Sequence, residues 1–260
     1  GFAVDASLIS ADVQKQNSSN PEDWAAREID PEDAPRAVRE YLNTLDDEAF
    51  GAATTAKPKF TAHADPASQW TAARKGPAFF AYSTNYLIDT DNGVILDVEA
   101  TRSIRQAEVG SVRTMIDRVS DTFALQPERL IADTAYGTGE MLDWLDRQRG
   151  IAPHISVFDK SARRDGTFER TDFTYDAEQD TYTCPGGKAL QTYRRNFSTP
   201  RKANGGKDGF IRYRASKHDC DICPLKPQCC PKDNGRRLMR SVHEAARDVA
   251  RDIRKTDAYM

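Results

Sequence analysis

The chain has 260 residues, 38% of them hydrophobic and 30% charged, with a formal net charge of −3. That length buries a sizeable core in one large domain or two small ones, and no run of about 18 apolar residues offers a membrane span. The total hides an asymmetry: residues 1–159 carry 15 basic and 26 acidic side chains, whereas residues 160–260 carry 22 and 14.

Gly1-Phe2-Ala3-Val4 is too short, and lacks the basic flank, to be a secretory signal. With no initiator Met, and with Arg254 to Met260 stopping inside a helical pattern, the chain reads as a piece of a longer protein. Phe2-Ala3-Val4-Asp5 reads as the end of a buried strand that carries a carboxylate at its tip. A polar excursion follows over about residues 14–76. Within it, Asn20-Pro21-Glu22-Asp23 has the N-cap, the proline and the first-turn acids of a helix start. Asp30-Pro31-Glu32-Asp33 repeats that signal and leads to a stripe of Val38, Tyr41, Leu42 and Leu45, with Ala52 to Gly76 expected as loop.

Phe79 to Asp89 is rich in aromatic and β-branched residues. Asp91-Asn92-Gly93 then signals a hairpin turn, and Val94 to Ala100 returns as its partner. Val109, Val112, Ile116, Val119 and Phe123 share a helical face, with Pro127 beyond its end. Arg129-Leu130-Ile131-Ala132-Asp133 is a short strand that again delivers an aspartate. Thr138 caps a helix bearing Met141, Leu142 and Leu145, Gly150 ends it, and Ile151 to Phe158 forms a fifth strand. The order predicts an α/β fold, a mixed five-stranded sheet flanked by helices over residues 1–159. Residues 160–240 lose periodicity and are expected as a loop-rich, cysteine-rich insertion. Residues 241–260 resume as an amphipathic helix with Val242, Ala245, Ala246, Val249 and Ile253 on its apolar side.

All five cysteines follow residue 183, an odd and clustered set unlike a secreted disulfide framework and expected in a reducing, cytoplasmic setting. Cys220-x₂-Cys223-x₅-Cys229 with Cys184 upstream supplies four thiolates, the ligand set of a closed structural zinc site. A [4Fe–4S] cluster takes the same set. Cys230 is the spare or replaces Cys229, and His218 is a lesser candidate.

From Cys184 to Arg240 there are 14 basic and 4 acidic residues, a polyanion footprint unless it is merely a solvated basic loop. Arg194, Arg195, Arg212, Arg214, Lys217, Arg236, Arg237 and Arg240, with Arg201 and Lys202 nearby, are the expected DNA-backbone contacts. Tyr193, Phe197, Phe210 and Tyr213 among them suit stacking on unpaired bases.

Asp5 and Asp133 at two strand ends suit hard divalent cations, which take oxygen ligands and serve phosphodiester chemistry in pairs. Ordinary turn chemistry explains either residue alone. Taken together, Val4-Asp5-Ala6-Ser7-Leu8-Ile9, the Tyr82 to Asp89 strand and Leu130-Ile131-Ala132-Asp133-Thr134-Ala135-Tyr136-Gly137 resemble the DDE transposases of bacterial insertion sequences. The resemblance is to the subgroup with a cysteine-bearing insertion before the last catalytic helix, and it covers nearly the whole chain.

The resemblance implies an RNase H-like core and metal-dependent hydrolysis and strand transfer at element ends. Asp5 and Asp133 would be the first two catalytic acids, binding Mg²⁺ or Mn²⁺. The partner would be double-stranded DNA, gripped by a homodimer or larger assembly. Ala6 stands where the family usually has Gly. Tyr136 matches the family tyrosine after the second Asp, as a contact near the acidic edge or as packing. The family's third acid, a Glu, is expected beyond Met260, so these 260 residues should be inactive alone, and Glu244 is read as a surface acid bridged by Arg247. Two rival readings are a non-catalytic DNA-binding or structural metal module on a decayed transposase and an RNase H-like nuclease that cleaves without strand transfer.

Overall fold

The structure, a computed structural model, describes residues 1–25, 29–30, 32–35, 38–39, 58–72, 76–159, 165–192 and 209–259. Tyr41, Leu42, Leu45, Tyr193, Arg194, Arg195, Phe197, Arg201 and Lys202 lie outside the described residues. The fold divides into two units, residues 1–136 with 150–156 and residues 137–149 with 157–260.

The first unit is built on a mixed sheet of β1 (Phe2–Ser10), β4 (Gln69–Ala72), β5 (Ala78–Asp89), β6 (Val94–Arg102), β7 (Arg129–Ala132) and β8 (Ala152–Ile155). A separate two-stranded pair joins β2 (Ser18–Ser19) to β3 (Thr61–Ala62). Across the main sheet the order is β6–β5–β1–β7–β8, with β4 on the far end of β5. β5 runs antiparallel to β1, β4 and β6, while β1, β7 and β8 run parallel. This is the strand order of an RNase H-like α/β core, so the expected mixed sheet is present with six strands instead of five.

The additional strand is β4, inside the stretch expected to be loop. Its register sets Trp70 against Phe80, and the Trp70 ring meets both Phe80 and Phe60 edge-on. Such aromatic pairs hold a short, largely polar strand in place.

Local chemistry explains the hairpin and the helices. Gly93 takes φ +66°, and its N–H donates to the Asp89 carbonyl at 2.8 Å, closing the turn between β5 and β6. α1 (Pro21–Ala25) starts where Asn20 Oδ1 accepts the Asp23 N–H at 2.9 Å. α2 (Arg105–Phe123) buries Ala107, Val112, Met115, Ile116 and Val119. Phe123, expected on the same stripe, is exposed because it closes the last turn before Ala124 takes the left-handed conformation. Phe2, Val4, Leu87 and Leu130 complete the apolar residues that sheet and helix keep from water.

The second unit contains α3 (Gly139–Asp143), which runs on into a π-helical stretch, Trp144–Arg149. Thr138 Oγ1 accepts the Met141 N–H at 3.3 Å, the expected cap. A Cβ on Gly139 would sit 3.2–3.4 Å from Ser241, His243 and Arg247 side-chain atoms, so glycine lets α3 approach α6 (Glu244–Ile253) closely.

Where periodicity was expected to vanish, five short strands form an antiparallel sheet. They are β9 (Thr174–Asp176), β10 (Thr181–Thr183), β11 (Ala189–Thr192), β12 (Phe210–Ala215) and β13 (Arg237–Ser241), in the order β13–β12–β11–β10–β9. Two short helices, α4 (Lys217–Asp221) and α5 (Lys226–Cys229), lie between β12 and β13 in the chain. The core of this sheet is small: Phe173, Tyr182, Leu190, Tyr213 and Leu238.

Candidate functional site

The parallel pairing of β1 with β7 matches Phe2 with Leu130 and Ala3 with Ile131. The ladder ends there: Asp5 lies two residues beyond Ala3 on β1, Asp133 lies two beyond Ile131 and just past the end of β7, and both carboxylates act by charge on the Tyr136 hydroxyl. Alternation fixes the face. Val4 is buried and Asp5 exposed, so the Asp5 carboxylate leaves the face of β1 opposite Val4; Asp133, past the end of β7, is exposed as well.

Asp5 is not at a strand tip as expected. β1 runs on to Ser10, because its other edge stays paired with β5 as far as Ser10 with Ala81. It is β7 that stops, and Asp133 begins the turn after it. Asp133 Oδ1 accepts the Ala135 N–H at 2.7 Å, and the Asp133 carbonyl accepts the Tyr136 N–H at 3.2 Å. Asp5 Oδ1 accepts the Ala6 N–H at 2.8 Å. Among the described residues neither carboxylate forms an ion pair with a basic side chain.

Tyr136 is buried at 3% exposure under this edge. Its hydroxyl is pushed well above the usual phenol range, by burial first and then by the negative charges of Glu108, Asp133 and Asp5. Glu108 was missed in the sequence. It sits in the first turn of α2 and accepts a hydrogen bond from the Ser83 hydroxyl. Its only sequence signal was its place on that turn. Two exposed carboxylates on one edge fit a hard cation that keeps most of its waters. Among the described residues, no three His, Cys, Asp or Glu side chains are grouped closely enough to hold a metal ion by themselves.

Glu244 is not the surface acid expected. It is 1% exposed, with Arg170 Nη1 at 2.5 Å, Arg251 Nη1 at 2.8 Å and Arg247 Nη1 at 3.4 Å. Asp159 joins the network through Arg170, Arg247 and Arg251. Burial alone would raise the Glu244 carboxyl, but the hydrogen bond and charge of Arg170, with Arg247 and Arg251, hold it below the ordinary value. Three guanidinium groups and the Ser241 N–H, which donates to Oε2 at 3.2 Å, take up the carboxylate's four lone-pair directions and leave none for a metal. The buried face of α6 is correspondingly Glu244, Ala246, Arg247 and Ala250, while Ala245 is exposed.

The second sheet gathers the cysteines, all as free thiols. Cys184 and Cys223 sulfurs flank Gly186, 3.6 and 3.5 Å from where its Cβ would be. Cys230 lies in hydrogen-bond contact with both Cys220 and Cys229, and its thiol is pushed up to about 12 by burial and by those two neighbours. Cys229 is also raised, chiefly by burial. Cys230 is thus built into the cluster instead of standing aside as a spare. Cys229 and Cys230 therefore resist ionising, a preference that a bound cation would reverse.

The basic residues separate into two groups. Arg236 is 4% exposed, donates to the Cys229 and Phe168 carbonyls at 2.9 and 2.6 Å, and stacks on Phe173. Arg240 lies 3.8 Å from the Tyr175 ring centre and donates to the Tyr182 hydroxyl at 3.3 Å. Both are turned inward and support the sheet. Tyr213 is fully buried, with its hydroxyl and that of Tyr175 on Asp180, and is not a stacking platform. Arg212, Arg214, Lys217 and Arg237 remain on the outside.

A family model described as the transposase DDE domain matches residues 36–247. No curated protein and no solved structure matches the chain. Among the described residues no helix is long and apolar enough to cross a membrane.

Proposed function

Since the chain belongs to the family of transposase DDE domains, we propose that Asp5 and Asp133 form the acidic edge of a centre for metal-dependent phosphodiester hydrolysis and strand transfer at the ends of an insertion sequence. The observation that supports this reading is that Asp5 and Asp133, on and just beyond the paired strands β1 and β7, are both exposed and both act by charge on the buried Tyr136 hydroxyl. Divalent ions bound there, Mg²⁺ or Mn²⁺, supply the acidity that activates water and then a DNA 3′-hydroxyl. The chain's own part is to hold the two carboxylates in one orientation, each fixed by a backbone N–H on its Oδ1. Glu244 is excluded as a further ligand by its arginines, and no residue is assigned that role.

Cys184, Cys220, Cys223 and Cys229 are proposed to hold a structural zinc, with a [4Fe–4S] cluster as the other four-thiolate group. Cys230, in contact with two of them, is the alternate ligand to Cys229. Double-stranded DNA is the partner, and two element ends held together call for a dimer or larger assembly. The odd, clustered set of cysteines supports a reducing compartment, the cytoplasm.

The test is Mn²⁺ binding to the 260-residue chain, followed by electron paramagnetic resonance. Wild type is expected to bind, and Asp133→Asn or Asp5→Asn to weaken binding at least tenfold with an unchanged melting temperature. Equal binding by wild type and both variants would overturn the assignment. DNA binding without any metal binding would instead favour the non-catalytic module.

A further inference from the structure

A polar seam runs through the apolar packing of the first unit. Ser83 and Asn85 stand two residues apart on β5, on the face that also carries the buried Leu87. Both are fully buried, where a polar side chain is costly unless its hydrogen bonds are made. Ser83 donates to Glu108 Oε1 in the first turn of α2. Asn85 donates through its amide to the Glu99 carbonyl at 2.9 Å and the Thr101 hydroxyl at 3.0 Å, and its Oδ1 has no hydrogen-bond partner among the described residues.

The same turn of α2 is docked on the turn that carries Asp133. Arg105 Nη2 donates to the Ala135 carbonyl at 3.1 Å, and Glu108, three residues on, shares that side of the helix. The Ala135 N–H is held in turn by Asp133 Oδ1. Tyr136 is buried beside them, and after burial itself Glu108 is the foremost influence on its hydroxyl, ahead of Asp133 and Asp5. A favourable place in a first helical turn would account for an acid at 108. It does not account for a buried serine set on that acid or for the orphaned Asn85 oxygen on the same strand face.

Resting on the reading of Asp5 and Asp133 as metal ligands, we infer that Glu108 is a positioning residue of that centre, accepting from cation-bound water with the carboxylate oxygen that Ser83 leaves open. Among the described residues no three acids are grouped closely enough to hold an ion directly, so Glu108 acts through water. A hard cation that keeps several waters is oriented by such acceptors behind its ligands.

The experiment is Mn²⁺ binding to the 260-residue chain by electron paramagnetic resonance, with melting temperatures taken with and without the ion. Glu108→Gln keeps an oxygen for Ser83 and loses the charge. It should weaken Mn²⁺ binding about tenfold, as loss of a group behind a metal ligand does. Its metal-free melting temperature should be unchanged or higher, because a like charge near Asp5 and Asp133 has been removed. A fixed Mn²⁺ concentration should then raise that temperature less than in wild type. Glu108→Asp keeps the charge but shortens its reach, should also weaken binding, and decides the matter if Glu108→Gln does not fold. Wild-type affinity in folded Glu108→Gln would overturn the inference. So would a lower metal-free melting temperature in Glu108→Gln together with wild-type affinity in Glu108→Asp, the result for a purely structural acid. Failure here is separable from failure of the catalytic reading. If Asp5→Asn and Asp133→Asn lose Mn²⁺ while both Glu108 variants keep it, Glu108 alone is removed from the centre; if no variant loses it, the centre and this inference fall together.

Discussion

The two sheets of this chain reach order by different routes. The six-stranded sheet is held by aliphatic packing, with Leu87, Leu130 and Ile155 fully buried, and its functional acids stand outside that core. The five-stranded sheet has five side chains in its core, two of them tyrosines. The rest of its cohesion comes from arginines on carbonyls and rings and hydroxyls on Asp180, and the unit that holds it adds the thiol contacts of Cys230 and the buried Glu244 network. Apolar contacts are non-directional and tolerate substitution, whereas buried polar networks depend on every member. The second unit should therefore fail first and abruptly when one polar partner is taken away.

The largest expected break comes from the thiols. If zinc completes the cysteine cluster, its binding energy is also folding energy for that unit. Purified chain should carry about one zinc per molecule by elemental analysis. Chelation should then erase protection from amide exchange in β9–β13 and leave β1, β5 and β7 protected. Equal loss in both sheets, or no loss, would remove the contrast.

Next in size is Glu244→Gln. It strands three guanidinium groups around a neutral amide and should lower unfolding free energy by about 3–5 kcal/mol in urea titration. The pH dependence has a definite sign. The folded carboxyl sits below the ordinary value of 4.5, so the unfolded chain binds the proton more readily. The network's full contribution is present above pH 4.5 and drains away as pH falls through the lowered folded value. Glu244→Gln should flatten this acid limb of the stability curve.

The smallest effect sharpens the comparison from the other side. Thr138→Ala removes only a local cap on α3 and should cost about 1 kcal/mol, with no change in amide protection of the five-stranded sheet.

That order of effects parallels what the sequence made legible. Short-range chemistry was readable: the Asp91-Asn92-Gly93 turn, the Thr138 cap and the Asn20 helix start each depend on residues within four positions. The strands β1 and β7 that carry and lead to Asp5 and Asp133 were readable because their apolar patterns are unbroken. The five-stranded sheet was not, although Ile211-Arg212-Tyr213-Arg214 does alternate. Its strands run three to six residues, and arginines on the inner face at 236 and 240 blur the apolar rhythm. β4 escaped notice because Gln69–Ala72 depends on Trp70 meeting Phe80, ten residues away. Glu244 was misplaced because Arg247 and Arg251 mark its helical face, while Arg170, the partner that buries it, is 74 positions earlier in the chain.

The pleat of β1 has a last consequence. Asp5 owes its face to its position in β1, where side chains alternate. One residue inserted ahead of it within that strand would turn its carboxyl to the opposite face. A single-codon insertion or deletion there should therefore separate Asp5 from the proposed site in one step, where most point changes along the strand should not.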